Sequence, residues 1–335
     1  FRFVLAFLLV MGPTLLMGAT LPVLSRVFAR LRIDRVGISL STLYATNTFG
    51  AVVGVVLTGF FLIGSFGIHV PVFIAVAGNL LIGCAALIAS RTSPDECIQR
   101  IPPRERPDQT DGTTLVHRGA FRVILIGLGI SGFTSFAYEI YWTRSLVFVL
   151  GNSTYALTTM LSAFLTGIAL GSYLARFAID RFNDRVAIFG WIQVLLGLIS
   201  AMALPLLFFF DDPQSMNRTL AGISGQAIPL VLSGFGIAFL VMLLPATLIG
   251  ATFPLVGHLA VRQLSQVGAS VGRVYAINTL GNVLGALLPG LLLLSWLGIQ
   301  KGILAMALLN LGLGLAVLSL RLWRAPAHPL WRVVL

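Results

Sequence analysis

Charge is what this sequence has least of. Only 10% of its 335 residues are Asp, Glu, Lys or Arg, while 57% are hydrophobic. A soluble domain carries about a quarter charged residues, so this chain could not cover its own surface in water. Cysteine is scarce too. Cys84 lies in an apolar run and Cys97 in a polar stretch, and two such thiols give neither a disulfide framework nor a metal cluster. His69, His117, His258 and His328 are scattered near segment ends and loops. No metal site, no cofactor site and no nucleophile–base set is read, and no catalytic residue is assigned.

The missing charges are missing in blocks. Stretches without Asp, Glu, Lys or Arg run 3–25, 36–90, 145–175, 186–210, 219–261, 274–300 and 302–320. A bilayer-spanning helix needs about 20 apolar residues, and 36–90 is long enough for two. The pattern predicts an all-α polytopic membrane protein with nine transmembrane helices. They fall at 3–28, 39–64, 69–90, 121–149, 154–177, 187–210, 228–258, 273–296 and 301–320. Gly64-Ser65-Phe66-Gly67 is expected to split the long run, and Gly151-Asn152-Ser153 to turn the chain between the fourth and fifth spans.

Nine spans sort the loops into two sets. One set, 26–38, 91–122, 176–186, 259–273 and 321–335, holds all 22 Lys and Arg except Arg2, Arg144, Arg218 and Lys301. Positive residues concentrate on the cytoplasmic side, so this set and the C-terminus are expected there, in a cytoplasmic membrane. The net charge of +11 then faces anionic lipid headgroups. Nucleic acid is not expected as a partner, because no basic face is interleaved with aromatics on a soluble fold. Residues 91–120, which mix arginines, acids and prolines, read as a cytoplasmic linker between membrane units 1–90 and 121–320. Residues 321–335 read as a cytoplasmic tail or linker.

An internal repeat is visible. GATLP at 18–22 matches GATFP at 250–254, and YATNTFGAVVGVVLTG at 44–59 matches YAINTLGNVLGALLPG at 275–290 in nine of 16 positions. The offsets are 232 and 231, and Gly67-Ile68 and Asn79 match Gly298-Ile299 and Asn310. Helices one to three therefore correspond to seven to nine. Helices four to six have no partner in the chain. The economical reading is an incomplete 6+6 repeat, transporter-like, whose first three helices would precede residue 1.

Polar residues inside the spans are the candidate site. Gly127, Gly129 and Gly132 spell G-x-G-x-x-G, but a dinucleotide fold needs an acid about 20 residues on, and Asn152 stands there. These glycines read as packing residues. Glu139 is the one acid placed within a span, and intramembrane acids pair, protonate or line polar cavities. Tyr138 and Trp142 lie at i and i+4. Arg144 is the nearest base in sequence, though about 140° around the helix, and a direct pair with Glu139 is not assured. A second group is Tyr275, Asn278 and Asn282 at i, i+3 and i+7, with Tyr44 and Asn47 in the first repeat copy. They read either as a helix seam with an interhelical hydrogen bond or as binding residues around a pseudo-axis. Asn278 and Glu139 are expected about 15 Å apart in depth, too far for one compact site.

Four segments together resemble a known group. They are GFTSFAYEIYWTR, LGNSTYALTTMLSAFLTGIALGSYLARFAIDR, LLPATLIGATFPL and GRVYAINTLGNVLGALLPGLLLLSWLGI. The chain resembles, over nearly its whole length, the membrane region of bacterial fused major-facilitator/spermidine synthase-like proteins. Tyr138-Glu139-x-x-Trp142-x-Arg144 and YAIN-x-x-G-x-x-x-G are the most specific parts. The resemblance implies a bacterial inner-membrane module followed by a cytosolic aminopropyltransferase-like domain, with polyamine as the solute class. That soluble domain is not recognisable after Leu320, so this chain alone is not expected to transfer aminopropyl groups. Two functions follow: a bundle that transports or senses a small solute, or a non-transporting platform that anchors and positions an enzyme.

Overall fold

In a bilayer every backbone N–H and C=O must find its partner within the segment or a closed sheet. Long apolar runs therefore become helices whatever their proline content. The computed structural model describes residues 2–31, 36–92, 118–182, 184–209, 227–263 and 267–322, and among them it is all-helical, without a strand. Most of the expected linker (93–117) and tail (323–335) lies outside the described residues. The helices are α1 (Arg2–Leu31), α2 (Val36–Val56), α3 (His69–Thr92), α4 (Arg118–Leu150), α5 (Thr154–Arg181), α6 (Arg185–Phe209), α7 (Ala227–Gln263), α8 (Val267–Leu288) and α9 (Leu294–Leu322). Eight segments are long and apolar enough to cross a membrane. The protein is a helical, polytopic membrane protein. The eighth segment, Ser270–Leu320, has 51 residues and is kinked at Gly298 (φ 70°, ψ −175°).

Two irregularities recur. The α2 axis continues through a π-helical turn, Leu57–Leu62, and one α-turn, Ile63–Phe66, to Gly67 (φ 71°, ψ −171°). The α8 axis continues through a π-helical turn, Pro289–Leu293, and reaches Gly298 with nearly the same backbone angles. Gly67 and Gly298 are 231 residues apart, the offset that aligns the YAxN segments. The expected turn at 64–67 is narrower than the sequence suggests. Gly64, Ser65 and Phe66 stay helical, and the reversal needs only the left-handed φ that glycine supplies at 67.

The turns between α4, α5 and α6 are short and capped. Gly151 (φ 78°) ends α4, and Ser153 caps α5 by accepting from the Ala156 N–H at 3.1 Å. Asp184 accepts from the Ala187 N–H at 2.9 Å to start α6, and Arg185 donates to the Ile179 carbonyl at 3.1 Å. Pro13, Pro22, Pro205, Pro245 and Pro254 sit inside helices. Hydroxyls within the spans fold back onto their own helix, as when Thr48 donates to the Tyr44 carbonyl and Thr247 to the Leu243 carbonyl. This hides a polar group without a partner helix.

Packing is uneven. The chief crossings are α5 on α7, α6 on α9, α4 on α8, and α2 on α5. Glycines bring backbones together at three of them, α6 on α9 included, where a Cβ on Gly197 would crowd the Ala307 carbonyl. A Cβ on Gly171 would overlap the Thr247 carbonyl, one on Gly250 the Ile168 carbonyl, and ones on Gly281 and Gly285 the Gly129 and Phe133 carbonyls. Apolar cores form at two levels. One gathers Tyr138, Trp142, Met160, Phe164, Met242 and Ile303, the other Leu21, Leu40, Leu128, Phe189, Phe253 and Val271. By contrast α3 buries only Pro71 among its described residues, and the most apolar stretches of α1 and α2 are 6% buried, against 44–61% for those of α4 to α7.

Lipid tails are as apolar as leucine, so close contact rather than water exclusion holds such helices. A side chain at these glycines should therefore be costly. Gly171→Leu and Gly250→Leu are expected to destabilise the protein by about 1–3 kcal/mol each. Gly312→Leu, with nothing within 4 Å, should be near neutral. Thermal unfolding in detergent checks the contrast.

Candidate functional site

Helix α4 organises the polar interior, because it presents small residues on two faces. Toward α8 it offers Gly129 and Gly132. A Cβ on Gly132 would lie 2.7 Å from the Asn278 carbonyl oxygen. Through that gap Asn282, with its amide turned to suit its neighbours, donates to the Gly132 and Asn278 carbonyls (3.1 Å each) and accepts from Asn278 Nδ2 (3.3 Å). The glycines and asparagines of the YAxN segment thus make a seam with an interhelical hydrogen bond.

Toward α6 and α9 the same helix offers hydroxyls. Thr134 Oγ1 donates to Asn310 Oδ1 (2.9 Å), Asn310 Nδ2 donates to the Tyr138 hydroxyl (3.2 Å), and Gln193 Nε2 donates to Ser131 Oγ (3.1 Å). Asn310, Gln193, Thr134 and Tyr138 have no exposed surface. Tyr138 stacks on Trp142 with centroids 4.8 Å apart and planes at 10°.

Between α2, α4, α5, α7 and α8 lies a small, partly open cavity of about 40 Å³. Its polar lining is Ser131 and Ser135 from α4, Thr252 from α7, and Asn278 and Asn282 from α8. Its aromatic lining is Tyr44, Phe136, Phe164 and Phe253. Phe253 sits between the two repeat-related tyrosines, with ring centroids 4.8 Å from Tyr44 and 5.8 Å from Tyr275. Hydroxyls, amides and ring faces can hold a small polar solute or an ammonium group. No residue that lines the cavity carries a formal charge.

The structure regroups the residues singled out from sequence. Tyr44, Tyr275, Asn278 and Asn282 come together at or beside the cavity, while Asn47 is exposed on α2. Tyr138 and Trp142 are buried in the apolar core. Glu139 is half-buried and Arg144 exposed. Neither of these two has a hydrogen-bond or ion-pair partner among the described residues. The four do not form one constellation. Glu139 nonetheless follows Ser135 and Phe136 by one helical turn, on the α4 face that lines the cavity. It stands seven residues from Gly132, about 10 Å along the axis, closer in depth to Asn278 than the sequence suggests. Among the described residues no three His, Cys, Asp or Glu side chains gather as a metal site would need.

Ser135, Thr252, Phe164 and Gln193 escaped sequence reasoning. Nothing local marks them, since their roles come from helices that meet only in the fold. Asn310 showed a signal, its match to Asn79, but not its partners. Comparison with known protein families, with curated proteins and with solved structures gives no match.

The Asn310 cluster generates a prediction. Asn310→Leu removes the partner of two buried hydroxyls and should destabilise the protein by ~1–2 kcal/mol. Tyr138→Phe, which removes one bond and keeps the stack, should cost less. Thermal unfolding in detergent ranks the two.

Proposed function

We propose that this chain is the membrane module of a spermidine synthase-like protein and that it handles, by transport or sensing, a small solute. Polyamine is the solute class that the resemblance implies. The observation that carries the reading is the partly open polar and aromatic cavity, lined by helices from both repeat copies. Ser131, Ser135, Thr252, Asn278 and Asn282 converge here around open space.

In this reading the architecture has nine spans in an incomplete 6+6 repeat. A straight helix of 51 residues would be about 76 Å long, more than twice the hydrocarbon thickness of about 30 Å. The kink at Gly298 divides it into two crossings. The repeated π-turns, the repeated left-handed glycines and the flanking of Phe253 by Tyr44 and Tyr275 support the relation between α1–α3 and α7–α9. The concentration of arginines in one set of loops supports a C-terminus on the cytoplasmic side, and the resemblance implies a bacterial inner membrane, where an aminopropyltransferase-like domain would work.

One observation favours a second reading, a non-transporting platform that anchors such a domain. The cavity lining carries no acid, and a polycation crossing hydrocarbon wants counter-charges along its path. Only Glu139 lies near.

Radiolabelled spermidine uptake into proteoliposomes separates the two. Solute handling predicts uptake above that of empty vesicles, abolished by Asn282→Leu, which fills the cavity, and reduced severalfold by Glu139→Gln. Uptake equal to empty vesicles, with Glu139→Gln silent in cells, would favour the platform.

A further inference from the structure

The hydrogen-bond capacity of the cavity wall is one-sided. A serine or threonine hydroxyl has a single hydrogen and two lone pairs. Ser135 commits its hydrogen to the Ser131 carbonyl at 2.6 Å, and Thr252 to the Leu248 carbonyl at 3.1 Å. A carbonyl can only accept, so these two hydroxyls have only lone pairs left for the cavity they line. Asn282 is in the same position. Its amide nitrogen donates to the Gly132 and Asn278 carbonyls, and its Oδ1 accepts one bond, from Asn278 Nδ2, which leaves a lone pair. Helices α4, α7 and α8 thus each bring one acceptor with no hydrogen to give. The other polar groups can give or take. Ser131 Oγ accepts from Gln193 Nε2 and keeps its own hydrogen, Asn278 keeps one N–H and its Oδ1, and the Tyr44 hydroxyl can turn about its ring bond.

The rest of the wall includes Phe136, Phe164 and Phe253 beside Tyr44, and aromatic rings attract a cation. A neutral donor such as an amide would answer the acceptors but draw little from the rings. A quaternary ammonium would draw on the rings but has no N–H for the acceptors. A protonated primary amine answers both, with three N–H donors for three acceptors. The cavity, of about 40 Å³ and partly open, has room for a few waters. That suits one amine head whose chain leaves by the open side.

We infer that this cavity reads a single primary ammonium head, held by Ser135, Thr252 and Asn282 and flanked by Phe136, Phe164 and Phe253. It therefore takes monoamines as well as polyamines. This rests on the reading of the cavity as the solute site, and it narrows the solute to one with a free –NH3+ end.

The test uses the full chain purified in detergent and immobilised, with radiolabelled methylammonium near neutral pH. Saturable binding is expected, displaced by ethylammonium and spermidine but not, at the same concentration, by tetramethylammonium or acetamide. Thr252→Val and Ser135→Ala each remove one acceptor at nearly constant shape and should weaken binding severalfold, while Gly312→Leu leaves it unchanged. No binding of methylammonium overturns the inference. Displacement by tetramethylammonium as strong as by ethylammonium leaves the rings as the sole contact and overturns it, as does displacement by acetamide or full binding in both acceptor variants. Should either variant fail to fold, the competition on the unaltered chain decides alone. Spermidine uptake into proteoliposomes without methylammonium binding would sink this inference and leave solute handling standing. Methylammonium binding without spermidine uptake would leave the inference standing and count against transport.

Discussion

The rest of the structure depends on backbone touching backbone at glycines inside a membrane. Water drives apolar surfaces together in a soluble protein, but lipid does not distinguish a leucine on one helix from its own tails. What remains is the contact that small residues permit. Gly171 and Gly250 join α5 to α7, and Gly281 and Gly285 join α8 to α4. These two crossings hold α4, α5, α7 and α8 around a common axis, and α2 packs on α5 to complete the ring.

The cavity is a consequence of that geometry. Helices drawn together at glycines diverge elsewhere, and the space they leave is lined by what lies one turn away. On α4 that is Ser135 and Phe136, and on α8 it is Asn278 and Asn282. The seam and the site are therefore the same segments seen at different heights. The YAxN segment need not be either a packing motif or a binding motif. Its glycines close the crossing, its asparagines cross-bond at the gap, and its tyrosine rests on Phe253.

The class, a helical polytopic membrane protein, was legible because composition forces it. A chain with so few charges, interrupted only at regular intervals, has one way to satisfy its backbone. The YAxN segments share nine positions, and Gly67 and Gly298, at the same offset, have nearly the same backbone angles. The site was legible only in part. Asn278 and Asn282 declared themselves by spacing, since amides beside G-x-x-x-G are unusual on a lipid-facing helix. Glu139 drew attention as a rare acid, yet its neighbours Tyr138 and Trp142 turned into the apolar core, Tyr138 bonded to Asn310, while it stayed at the margin. Thr252 and Ser135 were invisible for a physical reason. A hydroxyl that bonds its own helix looks the same in sequence whether it faces lipid, protein or open space.

The central claim is that a polar cavity reaches the middle of the bundle. Its most direct test is the reactivity of Ser135→Cys, in intact membranes and with Cys84 and Cys97 replaced, toward a small water-soluble methanethiosulfonate cation. The account predicts rapid modification, slowed by a solute that occupies the cavity, beside an inert Met202→Cys on the lipid face. A cysteine at 135 as unreactive as the one at 202 would contradict it.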